Sequence, residues 1–212
     1  MLTDKEIERL EKLYTKERLL WGENFRFVAG IDEAGRGSLA GPVVAGAVIF
    51  KEGIYIEKLD DSKKLTSSQR ETLYAQIKNK AVAVGVGVVY QDEIDKINIF
   101  NATIKSMKLA IANLNIQPDF LLVDGLTIPE LSIPQEKVID GDARCCCIAA
   151  ASIVAKVTRD HLMEELDKIY PQYGFAKHKG YGTAFHLQAL KKYKPCDLHR
   201  KTFKPVAKLI ET

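Results

Sequence analysis

Four acidic residues next to apolar runs are the residues of this sequence best placed to do chemistry. Asp32 and Glu33 follow one short apolar run, Asp124 follows another, and Asp142 precedes a long Ala-rich segment. Functional sites tend to collect at the strand ends of an open sheet. We therefore expect these four carboxylates to converge on one pocket.

A cluster of carboxylates needs cations, because like charges raise each other's pKa. Two divalent ions would neutralise the cluster and leave coordination positions for water and phosphate. Simpler explanations stay open for single residues: Asp142 could cap the following helix, and Asp124 with Gly125 could form an ordinary turn. Adjacent strand residues also point to opposite faces, so Asp32 and Glu33 share a site only if the strand bends or ends there.

The segment Gly35-Arg36-Gly37 follows the first acid pair directly. Two glycines allow backbone amides to approach a ligand closely, and Arg36 can hold a phosphate. A tight hairpin turn explains the same residues equally well, so the segment gains weight only from the acids beside it.

Basic residues are concentrated in three further segments. Residues 61–64 (Asp-Ser-Lys-Lys) precede a predicted helix start, which is a natural phosphate site. Lys156 and Arg159 lie three apart on a predicted helix and so share a face. Residues 177–182 combine charge, glycine and the ring of Tyr181, a combination that suits a nucleic-acid backbone. A solvated surface explains each segment taken alone.

Composition sets only broad limits. A chain of 212 residues with 46% apolar residues can build one sizeable core. Lys and Arg total 31 and Asp and Glu total 28, and the resulting net charge of +3 favours no class of partner. No stretch has the length of a membrane span or of a signal core, so we expect a cytoplasmic protein with no membrane partner. We also expect the protein to be monomeric.

Three of the four cysteines are consecutive, at positions 145–147. Neighbouring cysteines cannot supply metal-ligand spacing or an ordinary disulfide framework. We interpret them as small, soft residues packed near a helix start. Functional thiols are the alternative.

Hydrophobic periodicity predicts a hairpin of strands followed by strands that alternate with helices, which is typical of a mixed α/β sheet. We expect strands at 27–31, 43–50, 81–90, 119–123 and 137–139. We expect helices at 3–21, 66–80, 99–114, 145–170, 183–193 and 206–211, the first two opened by capping boxes at Thr3/Glu6 and Thr66/Gln69. We expect a single catalytic domain over 1–212, with a core at about 24–170 and a C-terminal helical appendage at about 171–212.

Several segments, in order along residues 28–200, resemble the type 2 ribonuclease H family, and within it the bacterial ribonuclease HII proteins. The matching segments are Gly30-Ile31-Asp32-Glu33-Ala34-Gly35-Arg36-Gly37, Gly41-Pro42-Val43, Asp61-Ser62-Lys63-Lys64-Leu65, Val123-Asp124-Gly125, Gly141-Asp142, the Ala-rich stretch 148–160, His178-Lys179-Gly180-Tyr181-Gly182-Thr183 and His199-Arg200. The first of these and the Ala-rich stretch are long enough to be highly specific.

This resemblance implies a ribonuclease H-like fold, a five-stranded mixed sheet flanked by helices. It implies two divalent ions, Mg²⁺ or Mn²⁺, held by the catalytic ligands Asp32, Glu33, Asp124 and Asp142. Recognition of the ribonucleotide and its 2′-hydroxyl falls to Gly35, Arg36 and Gly37, and Tyr181 packs on the sugar at the RNA-to-DNA junction. Substrate phosphates would lie near Ser62, Lys63, Lys156 and Arg159. For Asp160 we expect a structural role.

The implied reaction is hydrolysis of the RNA strand of RNA–DNA hybrids, and on the 5′ side of single ribonucleotides in duplex DNA. One ion activates water and the other stabilises the leaving 3′-oxygen, giving 3′-hydroxyl and 5′-phosphate ends. The related ribonuclease HIII proteins carry an extra N-terminal domain and tend to lack the arginine between the two glycines, so Arg36 and the short segment before the first strand favour HII. A phosphohydrolase of small esters and a non-catalytic duplex-binding protein are the rival interpretations.

Overall fold

Five strands form one mixed sheet in the computed structural model, which describes residues 3–210. They are β1 (Val28–Ala34), β2 (Val43–Ile49), β3 (Ala83–Val89), β4 (Phe120–Asp124) and β5 (Gln135–Val138), in the spatial order β3-β2-β1-β4-β5. The pairs β1–β2 and β2–β3 are antiparallel, whereas β1–β4 and β4–β5 are parallel. The predicted five-stranded mixed sheet is confirmed.

Helices cover both faces of this sheet. They are α1 (Asp4–Leu13), α2 (Thr15–Gly22), α3 (Ser67–Lys80), α4 (Gln91–Ala112), α5 (Cys146–Ile169), α6 (Phe175–His178), α7 (Ala184–Tyr193) and α8 (Lys204–Ile210). One core cluster lies between the sheet and α5, and a second lies between the sheet and α4. Within residues 3–210, no helix is long and apolar enough to cross a membrane.

The N-terminal helix differs from the prediction of one continuous helix. It breaks at Tyr14, which lies between the end of α1 and the start of α2. The Tyr14 hydroxyl donates to the Ile54 carbonyl. Only half of the first capping box forms, because Thr3 accepts from the Glu6 N–H but the Glu6 carboxylate pairs with Arg9. The second box, Thr66 with Gln69, is present in full at the start of α3.

Other element boundaries also differ from the prediction, three of them near the acids or within α4. The helix α4 begins at Gln91 and is interrupted at Asn98, which has φ of +64° and accepts a hydrogen bond from the Asn101 N–H, so the predicted helix from 99 is its second part. The strand β1 continues to Ala34 because it stays paired with β2 beyond the acids. The last strand ends at Val138 rather than 139. Residue 211 of the predicted last helix lies outside the described residues.

Small residues allow α5 to lie directly on the sheet. A Cβ atom built on Gly30 of β1 would lie 2.1 Å from the Cys147 backbone carbon, so only glycine fits there. Cys145, Cys146 and Cys147 are free thiols, all buried at this contact, which confirms their interpretation as small packing residues. The close contact fixes the start of α5 relative to the end of β1.

The chain after α5 folds around a buried cluster of three imidazoles. The His178 and His186 rings stack with centroids 4.4 Å apart, and the Nε2 atoms of His186 and His199 lie 3.1 Å apart. Tyr173 and Phe175 pack against the same rings. Burial lowers the pKa of both His186 and His199 from 6.5 to about 4.

We expect this imidazole cluster to make the protein sensitive to acid. Unfolded histidines take up protons near pH 6.5, whereas buried His186 and His199 stay neutral until about pH 4, so stability falls as the pH drops through this window. The loss at pH 5 is about 1–2 kcal/mol per histidine. Melting temperatures measured between pH 7 and 5 should fall less steeply for His186→Gln than for wild type. The exposed His161, replaced by Gln, serves as the control, and equal slopes for all three proteins would refute the prediction.

Candidate active site

The acids of β1 and β4 meet at one end of the sheet. Parallel pairing of the two strands ends at Ile31 and Val123, so the residues that follow, Asp32 and Asp124, stand side by side at the carboxyl ends of their strands. A cleft of about 420 Å³ opens there. It is lined by Asp32, Glu33, Ala34, Gly35, Arg36, Gly37, Ser62, Lys63, Arg70, Asp124, Ser152, Lys156 and Tyr181.

Both acids of β1 reach this cleft, although the strand does not end at them. Glu33 is still paired with Ala45 of β2. Asp32 is buried, and its Oδ1 accepts the Glu33 N–H at 2.7 Å. The Glu33 carboxylate is partly exposed and lies 3.6 Å from the Arg36 guanidinium. The two carboxylates therefore line the cleft at different depths.

Burial and mutual repulsion dominate the electrostatics of the acids. Burial raises the pKa of Asp32 well above its ordinary value, the charges of Glu33 and Asp124 raise it further, and a hydrogen bond from Ser152 opposes them. Burial is also the largest cause of the raised pKa of Glu33 and of Asp124. The negative charge of this cleft is therefore incompletely compensated by the chain itself.

Asp142 lies in a single 3-10 turn, Gly141–Ala143, directly before α5. Its carboxylate accepts from Lys63 Nζ at 2.7 Å and does not cap α5, whose N-cap residue is Cys145 with no side-chain capping bond. The Gly141 N–H donates to Asp124 Oδ1 at 2.7 Å. The turn that carries Asp142 is thus tied to the end of β4.

Asp124 also takes part in the turn that the sequence suggested. The Gly125 N–H donates to the Val138 carbonyl at 2.9 Å, and Gly125 has φ of +65°. The two predictions for Asp124 are therefore compatible: it begins a turn, and the turn directs its side chain into the cleft.

Carboxylate oxygens are the donors that Mg²⁺ and Mn²⁺ prefer, and buried, poorly compensated Asp32 fits such an ion. Among residues 3–210, however, no group of three or more His, Cys, Asp or Glu side chains is already close enough to hold a metal. Lys63 forms an ion pair with Asp142, and the Arg36 guanidinium lies near the Glu33 carboxylate. The chemistry of the donor set fits a divalent cation, and two of the acids are paired with basic side chains in this structure.

The Gly-Arg-Gly segment is held rigidly at the rim of the cleft. Gly35 has φ of +91°, and a Cβ atom there would lie 1.9 Å from Arg159 Nε, so no other residue fits. Arg159 is fully buried, and its guanidinium donates to the carbonyls of Ala40, Pro42 and Lys179. Arg159 thus differs from the expected phosphate contact: it lies behind the loop, and its donors are engaged by backbone carbonyls.

Arg200 is a second buried arginine behind this loop, and the sequence reasoning assigned it no role. Its guanidinium donates to the carbonyls of Gly35, Arg36 and Gly41 at 2.7–3.1 Å. These partners precede it by 159 to 165 residues. No local pattern could have indicated such a contact, and only the resemblance singled out His199-Arg200.

The remaining predicted substrate residues line the cleft. Ser62 and Ser152 share a hydrogen bond of 2.7 Å between their hydroxyls. Lys156 Nζ lies 2.6 Å from Asp160 Oδ1 and 6.0 Å from the centre of the Tyr181 ring, which is 40% exposed. Asp160 thus anchors Lys156, a structural contact as expected.

Arg70 of α3 also lines this cleft and was missed from the sequence. It donates to the carbonyls of Ser62 and Leu65 and lies 4.0 Å from Asp160. In the sequence it is an ordinary charged residue of a helix. Only its contacts with the Ser62 segment mark it as part of the site.

A mixed five-stranded sheet with carboxylates at the ends of β1 and β4 defines the ribonuclease H-like class of enzymes. The model of the family described as Ribonuclease HII matches residues 29–206. The ribonuclease HII of Acetivibrio thermocellus is 52% identical over 200 residues, which cover 94% of this chain and 78% of that protein. The chain belongs to the ribonuclease HII family and is a ribonuclease H enzyme.

Solved structures agree with this assignment. The crystal structure of ribonuclease H2 from Pyrococcus horikoshii OT3 superposes with a TM-score of 0.71 and 28% identity, covering 87% of this chain and 97% of that one. A Bst-RNase HIII crystallised in complex with Mn²⁺ has a TM-score of 0.64 and 17% identity, covering 88% of this chain and 70% of that one, and shows the shared fold alone.

We expect two acid-to-amide substitutions to have opposite effects on stability without metal. Asp32→Asn removes a buried charge that burial and repulsion disfavour, so the melting temperature in chelator at pH 7 should rise by a few degrees. Asp142→Asn removes the partner of Lys63 and should lower it or leave it unchanged. Thermal unfolding of both variants in chelator tests this, and a fall for Asp32→Asn would contradict it.

Proposed function

We propose that this enzyme is a metal-dependent endoribonuclease that hydrolyses the RNA strand of RNA–DNA hybrids and cuts 5′ of single ribonucleotides embedded in duplex DNA. The products are 3′-hydroxyl and 5′-phosphate ends. The observation that carries the proposal is the single cleft in which Asp32, Glu33 and Asp124 lie beside the rigid loop Gly35-Arg36-Gly37. Family membership supports the ribonuclease activity.

The four acids would hold two divalent ions, Mg²⁺ or Mn²⁺. Asp32 would be a ligand because it is buried among the other acids, and Asp142 would be available as a ligand if Lys63 paired with a substrate phosphate instead. When bound, such ions lower the pKa of a bound water and stabilise the leaving oxygen. The Mn²⁺ complex of the HIII protein of the same fold supports the choice of ion.

The Gly-Arg-Gly loop suits recognition of a ribose. Arg200 donates to the carbonyls of Gly35 and Arg36, and the Arg159 side chain packs against Gly35, so the backbone of the loop cannot easily adjust. The space beside Gly37 is open, with no atom within 4 Å of a Cβ built there. Backbone groups here can reach the 2′-hydroxyl, the one local feature that separates RNA from DNA. Tyr181 lines the same cleft and would pack on the neighbouring sugar.

The C-terminal segment favours a long polyanion over a small phosphate ester. Residues 171–212 contain nine Lys or Arg and two Asp or Glu, whereas the whole chain contains 31 and 28. The remainder of the chain therefore has an excess of acid, and the positive charge is concentrated in the segment that contains Tyr181. A basic segment that contributes an aromatic ring to a hydrolytic cleft favours nucleic-acid binding.

Asp32→Asn and Asp124→Asn should each abolish cleavage of a DNA duplex that contains one ribonucleotide, because each removes a charged ligand from the cluster. The assay compares cleavage in Mg²⁺, Mn²⁺ and chelator by gel electrophoresis of a labelled strand. Asp60→Asn is the matched control, since Asp60 is a partly exposed acid that pairs with Lys64 outside the cleft. Near-normal cleavage by Asp32→Asn or Asp124→Asn would disprove the proposed ligand set.

Tyr181→Ala should reduce discrimination between two substrates rather than overall binding. A stacked ring is worth about 1–3 kcal/mol if it behaves as on bases, and a single ribonucleotide followed by DNA offers only one register. Its cleavage should therefore fall more than that of a continuous hybrid. Lys63→Ala should weaken both alike and flatten the salt dependence, because phosphate contacts carry little information about the sugar.

The measurement is the ratio of the two cleavage rates for each variant. Tyr193→Ala is the matched control, since Tyr193 is a similarly exposed ring of the same C-terminal segment that does not line the cleft. An unchanged ratio in Tyr181→Ala, or a larger change in Lys63→Ala, would reject the junction-reading role of Tyr181.

A further inference from the structure

Glu17 of α2 is a buried carboxylic acid that does not line the cleft. Only 1% of the residue is exposed. Its Oε1 accepts the Cys147 N–H at 2.8 Å, across 130 residues of sequence. Within the described part of the chain, its other oxygen, Oε2, has no hydrogen-bond partner. Burial of a polar group with so little compensation is costly, so this position needs an explanation.

The contact falls on the first turn of α5, which lacks a cap of its own. Cys145 is the N-cap residue, and its side chain makes no capping bond. The first amides of a helix have no partner within the helix and need acceptors from elsewhere. Glu17 supplies that acceptor from another helix, and it does so next to the three consecutive cysteines, whose small side chains leave room for the carboxylate.

Two further hydrogen bonds lead from this helix start to the acids. The Cys145 N–H donates to the Gly141 carbonyl at 2.8 Å. The Gly141 N–H in turn donates to Asp124 Oδ1 at 2.7 Å. Asp142 lies within the turn that these two bonds define. The start of α5 therefore sets the position of the Asp142 turn and the orientation of Asp124.

We infer that Glu17 is a positioning residue for the metal site: its Oε1 atom caps α5 from a distance and thereby holds Asp142 and Asp124 in place. This inference rests on the proposed ligand set. Burial raises the pKa of Glu17, and hydrogen bonds from Cys147 and Cys146 oppose this rise only in part. The required feature is an acceptor oxygen within reach of the Cys147 N–H.

Two conservative variants distinguish the effect of the length of the Glu17 side chain from the effect of its charge. Glu17→Gln keeps the length of the side chain and an acceptor oxygen, and it should bind Mn²⁺ nearly as wild type does. Glu17→Asp keeps the carboxylate but is one methylene too short to reach the Cys147 N–H. It should lose about tenfold in Mn²⁺ affinity, the scale seen when partners behind metal ligands are removed. Titration calorimetry without substrate measures both.

Met107→Ala is the control for a general loss of stability. Met107 is fully buried in α4, in the core on the opposite face of the sheet from α5. The Met107→Ala substitution should lower the melting temperature of the protein without changing its Mn²⁺ affinity. Amide hydrogen exchange gives an independent readout: the Cys147 amide should exchange faster in Glu17→Asp only. Equal Mn²⁺ affinity in Glu17→Asp and wild type, or an equal loss in Met107→Ala, would overturn the inference.

These outcomes also separate this inference from the proposed ligand set. If wild type neither binds Mn²⁺ nor cleaves with it, the metal site itself is wrong, whereas unchanged exchange at Cys147 in Glu17→Asp would by itself refute the capping role. If wild type binds Mn²⁺ and Glu17→Asp binds it equally well, only the role of Glu17 fails.

Discussion

The contact of α5 with β1 is the constraint on which the cleft depends. Because Gly30 has no side chain, the backbone of the helix start lies directly against the strand, and a single added Cβ would collide with Cys147. The Ala-rich face of α5 continues this close packing along its buried length. Ser152 and Lys156 are thereby brought to the cleft from α5, and the turn before the helix brings Asp142 toward Asp124.

Positive and negative charges are used in opposite ways around this cleft. Arg159 and Arg200 are fully buried, and backbone carbonyls occupy their guanidinium groups, so they serve as rigid supports for the Gly-Arg-Gly loop. Asp32, in contrast, is buried without a cationic side chain of its own, and its pKa is raised. The chain thus surrounds the buried arginines with backbone carbonyls and leaves Asp32 to be neutralised from outside.

The N-terminal helices α1 and α2 also pack against the start of α5. Their buried residues Leu10, Leu13 and Leu20 share one core with the start of α5. Glu17 adds a polar contact to this apolar one, and it is aimed at the helix amide that the local sequence leaves without an acceptor. Apolar packing contributes to holding these helices in place, whereas the hydrogen bond from Cys147 to Glu17 also holds the start of α5.

The sequence by itself determined the order of the five strands, the second capping box and the position of Asp124 at the end of β4, because these follow from local periodicity and residue type. It did not predict that β1 continues through Asp32 and Glu33, since that depends on pairing with β2. It placed Asp32, Glu33 and Asp124 correctly around one cleft. It could not decide whether Asp142 was a cap, since that depended on Lys63 and on the geometry of Cys145.

Only the tertiary structure decided which cations line the cleft and which are buried behind the Gly-Arg-Gly loop. Lys156 and Arg159 look alike in the sequence, three residues apart on one helix, yet one lines the cleft and the other is buried behind the loop. Arg200 and Glu17 act on partners more than a hundred residues away. Such roles depend on which carbonyl or amide is left without a partner once the chain has folded, and local sequence carries no record of that.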